Sequence, residues 1–162
     1  MKYLRPLLPE LLMVAILAAV ALIYMSPVCE GKTLPQGDVI HAQEPPAEVT
    51  KFQEETGEYP GWTNSAFSGM PTYQLKSPPS RNVYNWLFRV FKLYLPGYTV
   101  AILFVVLLGF FFLLRTLKLN RWLALAGALA FGLGSHHVQL ILAGHVNKVY
   151  AIAYMAPVIA GM

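Results

Sequence analysis

Asp38 and a small basic cluster around His145 are the residues of this 162-residue chain best suited to chemistry. Asp38 stands in Gln36-Gly37-Asp38-Val39-Ile40-His41, just after an apolar N-terminal run. His145, Asn147 and Lys148 stand in Gly144-His145-Val146-Asn147-Lys148, between two later apolar runs. A carboxylate that takes a proton from a hydroxyl, facing cations that hold a departing phosphate, suits group transfer from a lipid-phosphate donor. Asp38 is then the base, with His145 and Lys148 at the donor phosphate. Gly-Asp is equally a common turn, so spacing alone leaves Asp38 a structural reading too.

A second polar group, Ser135, His136, His137 and Gln139, lies inside the third apolar stretch. Counted from Trp122, His136 is ~21 Å along a helix axis. At that depth polar groups face a partner helix or a cavity, so His136, His137, Gln139 and Asn147 are expected either to bond between helices or to line a polar cavity. His137 and His145 fall on similar helix faces two turns apart with Ile141 between, too far for one ion without a break at Gly144. No acid or cysteine stands at ligand spacing, so no metal site is expected. A glycine-rich phosphate loop, a serine nucleophile elbow and paired cysteines are all absent.

The elements that position these residues read as membrane spans. Leu11 to Met25 is unbroken apolar sequence, Tyr98 to Leu114 carries no charge, and Trp122 to Leu133 opens a third run. About 20 helical residues cross a bilayer core. The composition agrees, with 56% hydrophobic and 12% charged residues. The formal charge of +4 is therefore read by position, and not as a nucleic-acid footprint. Lys2 and Arg5 precede the first span, and Arg115, Lys118 and Arg121 fill the turn after the second. The positive-inside rule makes both cytoplasmic. Between the spans, Glu30, Asp38, Glu44, Glu48, Glu54, Glu55 and Glu58 offset Lys32, Lys51, Lys76, Arg81, Arg89 and Lys92, so that segment faces out.

A cleaved signal peptide is the rival for the first span, but Ser26-Pro27-Val28-Cys29 lacks the small residue wanted before a cut. Cys29, the single cysteine, has no internal disulfide partner.

Within the outer segment, Glu48, Lys51 and Glu55 fit a short helix from Ala47 to Thr56, closed by Gly57. Trp62 to Tyr73 mixes aromatics with turn formers and reads as an ordered loop near the membrane surface or a packed connector. From Asn82 to Leu95 a polar stripe (Asn82, Asn85, Arg89, Lys92) runs through an apolar, aromatic helix. It fits a helix lying in the outer interface, or one docked on the outer loop.

The third span carries two small-residue stripes, Ala124-Ala128-Gly132 and Ala126-Ala130-Gly134, which allow close helix packing. A fourth run opens at Val149 and stops at Met162, so the chain is expected to be the N-terminal fragment of a larger multispan protein. The expected order is transmembrane helix 1 over 1–25, an outer loop over 26–81, the interfacial helix over 82–95, transmembrane helix 2 over 97–114, a cytoplasmic turn over 115–121, transmembrane helix 3 over 122–143, and the start of a fourth over 149–162.

The succession Tyr24-x-x-Pro27-Val28-x-x-Gly31-Lys32, Gln36-x-Asp38, Trp62-Thr63-Asn64-Ser65-x-Phe67-x-Gly69-Met70-Pro71-x-Tyr73-Gln74 and Ala143-Gly144-His145-x-x-Lys148-x-x-Ala151-Ile152-Ala153-Tyr154-x-x-Pro157 resembles the YfhO family of bacterial membrane proteins, in the form seen in Bacteroidetes. The likeness covers nearly the whole chain, and the Trp-to-Gly-Met-Pro stretch is its specific part. That family resembles the GT-C class of glycosyltransferases. The resemblance implies an all-α membrane protein of the bacterial inner membrane, N-terminus inside, with a large extracytoplasmic first loop. It also implies transfer of a sugar from a polyprenyl-phosphate donor to an envelope glycopolymer or lipid acceptor. Asp38 takes the place of the class's catalytic acid, with His145, Lys148 and Arg81 near the donor phosphate and the 82–95 helix beside the entering lipid carrier. The class's paired acid motif is not present, since Val39 and Ile40 follow Asp38. No cofactor is expected, and a divalent metal is not indicated. A transporter or flippase of envelope lipids and a non-catalytic membrane scaffold are the alternative functions.

Overall fold

The computed structural model describes residues 8–41, 46–75 and 98–162. Arg81 and the expected interfacial helix over 82–95 lie outside them. The described residues are mostly helical: α1 (Leu8–Tyr24), α2 (Ser26–Cys29), α3 (Gly37–His41), α4 (Pro46–Thr56), α5 (Tyr98–Thr116), α6 (Arg121–Gly132), α7 (Ser135–Ala143) and α8 (Val146–Ala160). A two-residue antiparallel ladder pairs β1 (Trp62–Thr63) with β2 (Met70–Pro71), and a 3₁₀ turn follows over Thr72–Gln74.

The most apolar helix is the centre of the assembly. α5 packs against α8, α6 and α1, and Val100 through Leu107 are buried in succession. Its neighbours each give one stripe to this core. Met13, Leu17 and Ala21 of α1 recur every four residues, one per helical turn, and all are fully buried. α6 turns Ala124, Ala128 and Gly132 inward, while Ala126 and Ala130 are exposed. Only the first of the two small-residue stripes is therefore a packing face. On α5, a Cβ at Gly109 would lie 2.5 Å from the Ala153 carbonyl oxygen. That carbonyl lacks its usual helical donor because Pro157 has no N–H, and glycine lets the two backbones close over it.

Among the described residues one helix is long and apolar enough to cross a membrane, through Thr99–Thr116. α6 and α7 pass the same test together but are bent by 46° at their junction. The single third span expected over 122–143 is thus broken at Leu133–Gly134, where Gly134 leaves the helix with ψ 139°. Two glycines within three residues, Gly132 and Gly134, weaken the helix there. α1, of 17 residues, and α8, of 15, are shorter apolar helices. α4 lies where the charge spacing expects it. Trp62 to Tyr73, too irregular for either period, is held by the small ladder.

Ion pairs mark the two ends of this bundle. At one, Arg115 near the end of α5 meets Glu10 in the first turns of α1 through two contacts, Nη2 to Oε1 at 2.7 Å and Nε to Oε2 at 3.1 Å. Arg115 also donates to the Leu119 carbonyl. The other end, reached where α1 and α7 finish, carries Asp38 and His145.

Candidate functional site

The site is assembled by the way α7 stops. Gly144 caps it in the left-handed region, φ 96°, where a side chain is strained. Its N–H donates to the Ile141 carbonyl, and the His145 N–H reaches back to Leu140 at 3.0 Å. These are the two bonds of a Schellman turn. The turn swings the chain into α8 and leaves His145 at the position just before α8 begins. The Ile141 carbonyl also accepts from the Gln36 side-chain amide, which is 3% exposed. The buried amide thus finds an acceptor, as burial demands, and staples the segment after α1 onto α7. Val39 and Gln36 lie against Gly144, within 3.3 Å of where a Cβ would stand.

The staple delivers α3 to His145. Asp38 occupies the first turn of α3, where a carboxylate is favoured by the helix dipole. Its Oδ2 lies 2.8 Å from His145 Nδ1, and the two side chains are 55% and 48% exposed. Beside the pair, Gly144, His145, Val146, Asn147 and Lys148 line an open cleft of about 330 Å3. Asn147 and Lys148 are exposed.

The expected site residues therefore divide. Asp38, His145 and Lys148 gather at one end of the bundle, but His145 is engaged with the carboxylate itself. Among the expected polar-cavity residues, His136, Gln139 and Asn147 are at the surface, and His137 alone is buried. Its ring packs on Phe131 at 4.6 Å between centroids, and its Nδ1 meets no hydrogen-bond partner among the described residues. Among the described residues no group of three or more His, Cys, Asp or Glu is placed to hold a metal ion.

Sequence reasoning missed Gln36 and Glu10. The glycine ending α7 signals a helix end, but nothing local says that Gln36 brings a second donor to one of its carbonyls. No protein-family model matches the chain, and neither a curated protein nor a solved structure matches it.

Proposed function

We propose that the chain belongs to a membrane-embedded glycosyltransferase that moves a sugar from a polyprenyl-phosphate donor to an envelope acceptor. The observation that carries this reading is the Asp38–His145 pair beside the Gly144–Lys148 cleft. Asp38 accepts the proton of the acceptor hydroxyl as its oxygen bonds to the sugar's anomeric carbon. The bond from that carbon to the phosphate oxygen breaks, its electron pair leaves with the phosphate, and Lys148 stabilises the departing anion. His145, through the close contact of its Nδ1 with Oδ2, orients the carboxylate. Half-exposure of both side chains leaves the carboxylate open to an incoming hydroxyl.

The membrane frame draws support from the outward faces of the helices around α5. Leu11, Leu12, Ile23, Phe112, Leu123 and Val158 are each more than half exposed, an apolar coat that suits lipid better than water. In this frame the Glu10–Arg115 end faces the cytoplasm and the Asp38 end faces out. Reporter fusions at Glu55 and Lys118 are expected on opposite sides of the inner membrane. Both on one side would overturn the frame.

The catalytic assignment is tested with Asp38→Asn in the full-length protein, supplied with a panel of radiolabelled polyprenyl-phosphate sugars. Asn keeps the size and removes the basicity, so transfer into the envelope fraction should fall by ~10²–10⁴ at normal protein levels. Undiminished transfer would return Asp38 to a turn role. A flippase reading has an observation of its own, the 46° break beside buried His137, because broken helices and buried polar groups also mark transport paths. Labelled lipid crossing the membrane without sugar transfer would favour it.

A further inference from the structure

The aromatic hairpin over Trp62 to Tyr73 has no part in the chemistry at Asp38, yet it is built with care. Thr63 is 3% exposed. Its hydroxyl donates to Glu48 Oε2 and lies 2.9 Å from the Ser65 hydroxyl. This bonding ties the hairpin to α4. The Trp62 indole N–H donates to Asn64 Oδ1 at 3.3 Å. Gly69, at φ 121°, closes the turn directly against that indole, since a Cβ there would stand 2.8 Å from its nitrogen. Phe67 and Ser68 also take positive φ, 52° and 61°. Three successive residues in this sparsely populated region make a turn that surrounding bonds must enforce. The result is a tryptophan fixed at its edge and backbone but 57% exposed.

Beside it is a cleft of about 230 Å3 lined by Glu48, Val49, Phe52, Pro60, Trp62 and Thr63. That is smaller than the ~300–1,000 Å3 of clefts for drug-sized ligands, and suits one small ring. Trp62, Phe52, Pro60 and Val49 give the lining its apolar surface. The polar group free for a ligand is the exposed Glu48 carboxylate, since the Thr63 hydroxyl is already bonded to Glu48 and Ser65. Such a lining offers stacking to C–H faces and hydrogen bonds to hydroxyls on the ring edge. Glu54, Glu55 and Glu58 stand at and just past the end of the same helix, where Lys51 is the one base among the described residues 46–75, so a carboxylate- or phosphate-bearing ligand is disfavoured.

We infer that the cleft between α4 and the Trp62 hairpin binds a single uncharged sugar ring, stacked on Trp62 with a ring hydroxyl donating to Glu48. This goes beyond sugar transfer, because the cleft holds its ring whatever Asp38 does. Trp62 is held before the ligand arrives, so little ordering entropy is lost on binding.

The test is ligand-observed saturation-transfer NMR on the full-length protein in nanodiscs, with N-acetylglucosamine, methyl β-glucoside, glucuronic acid and phosphocholine as probes. The two uncharged sugars should bind saturably in the ~1 mM range of a one-ring contact, and glucuronic acid much more weakly. Trp62→Ala should weaken binding roughly tenfold, the upper end for one aromatic contact. Trp62→Phe, which keeps a ring and guards against misfolding of the alanine variant, should retain most of it. Glu48→Gln should weaken binding severalfold, and Asp38→Asn should leave it unchanged, which separates this inference from the transfer mechanism. No saturable signal from either sugar, equal binding by Trp62→Ala, or phosphocholine binding in their place would each overturn it.

Discussion

Two acid–base pairs sit at opposite ends of the same bundle, and they are built on different plans. Glu10 and Arg115 make two contacts, their side chains are only 29% and 32% exposed, and the guanidinium is further engaged by Leu119. Asp38 and His145 touch once, with about half of each side chain open. A bidentate, shielded pair is directional and locks the start of α1 to the end of α5. A single exposed contact orients a carboxylate without sealing it. Acid type does not distinguish the clamp from the proposed reactive group; bond number and shielding do.

That contrast is sharpest at His145. With His145→Ala, transfer should fall roughly tenfold to a hundredfold, a part of the effect of a general base, because Asp38 loses its orienting partner. The loss should appear in kcat, with KM for the lipid donor little changed, and Gln at 145 should restore part of it. A rise in KM at constant kcat would instead place His145 on the donor phosphate, as the sequence alone suggests.

A smaller effect is expected at the turn that brings the pair together. Gly144→Ala forces a side chain into the left-handed region and against Val39, at a cost of about 1–3 kcal/mol. Thermal unfolding in detergent should report the loss of stability, and transfer should fall with it as α3 loosens from α7. A variant of undiminished stability and full activity would remove the Schellman turn from the account.

The smallest effect belongs to the clamp. Glu10→Gln keeps the shape and removes the charge, so stability should drop by about 1 kcal/mol, given that the pair is still partly solvated. Transfer should be unchanged. If Glu10→Gln lowered transfer as far as Asp38→Asn, the division between clamp and reactive pair would collapse.

Much of this organisation is written in local sequence. Apolar runs mark α1, α5, α6 and α8, Glu48-Lys51-Glu55 spacing marks α4, and Gly144 marks the stop that turns the chain into His145. Each is legible because helix period and glycine's backbone freedom act within a few residues. The gathering of Asp38, His145 and Lys148 at one end also follows from counting spans. Less visible was the ladder around Trp62, where irregular spacing hides a fold made by the Thr63 hydrogen bond to Glu48 and by a strained turn.

Tertiary packing decided the rest, because those choices depend on groups far apart in the chain. Two small-residue stripes on α6 look alike in sequence, and only the position of α5 buries Ala124-Ala128-Gly132 and exposes Ala126 and Ala130. Gln36 meets the Ile141 carbonyl, and Glu10 meets Arg115, across separations that no periodicity encodes. His145 could face a phosphate or a carboxylate by its type alone. The amide staple at Gln36 sets Asp38 beside it, and that neighbour makes the carboxylate, not a phosphate, the partner of His145.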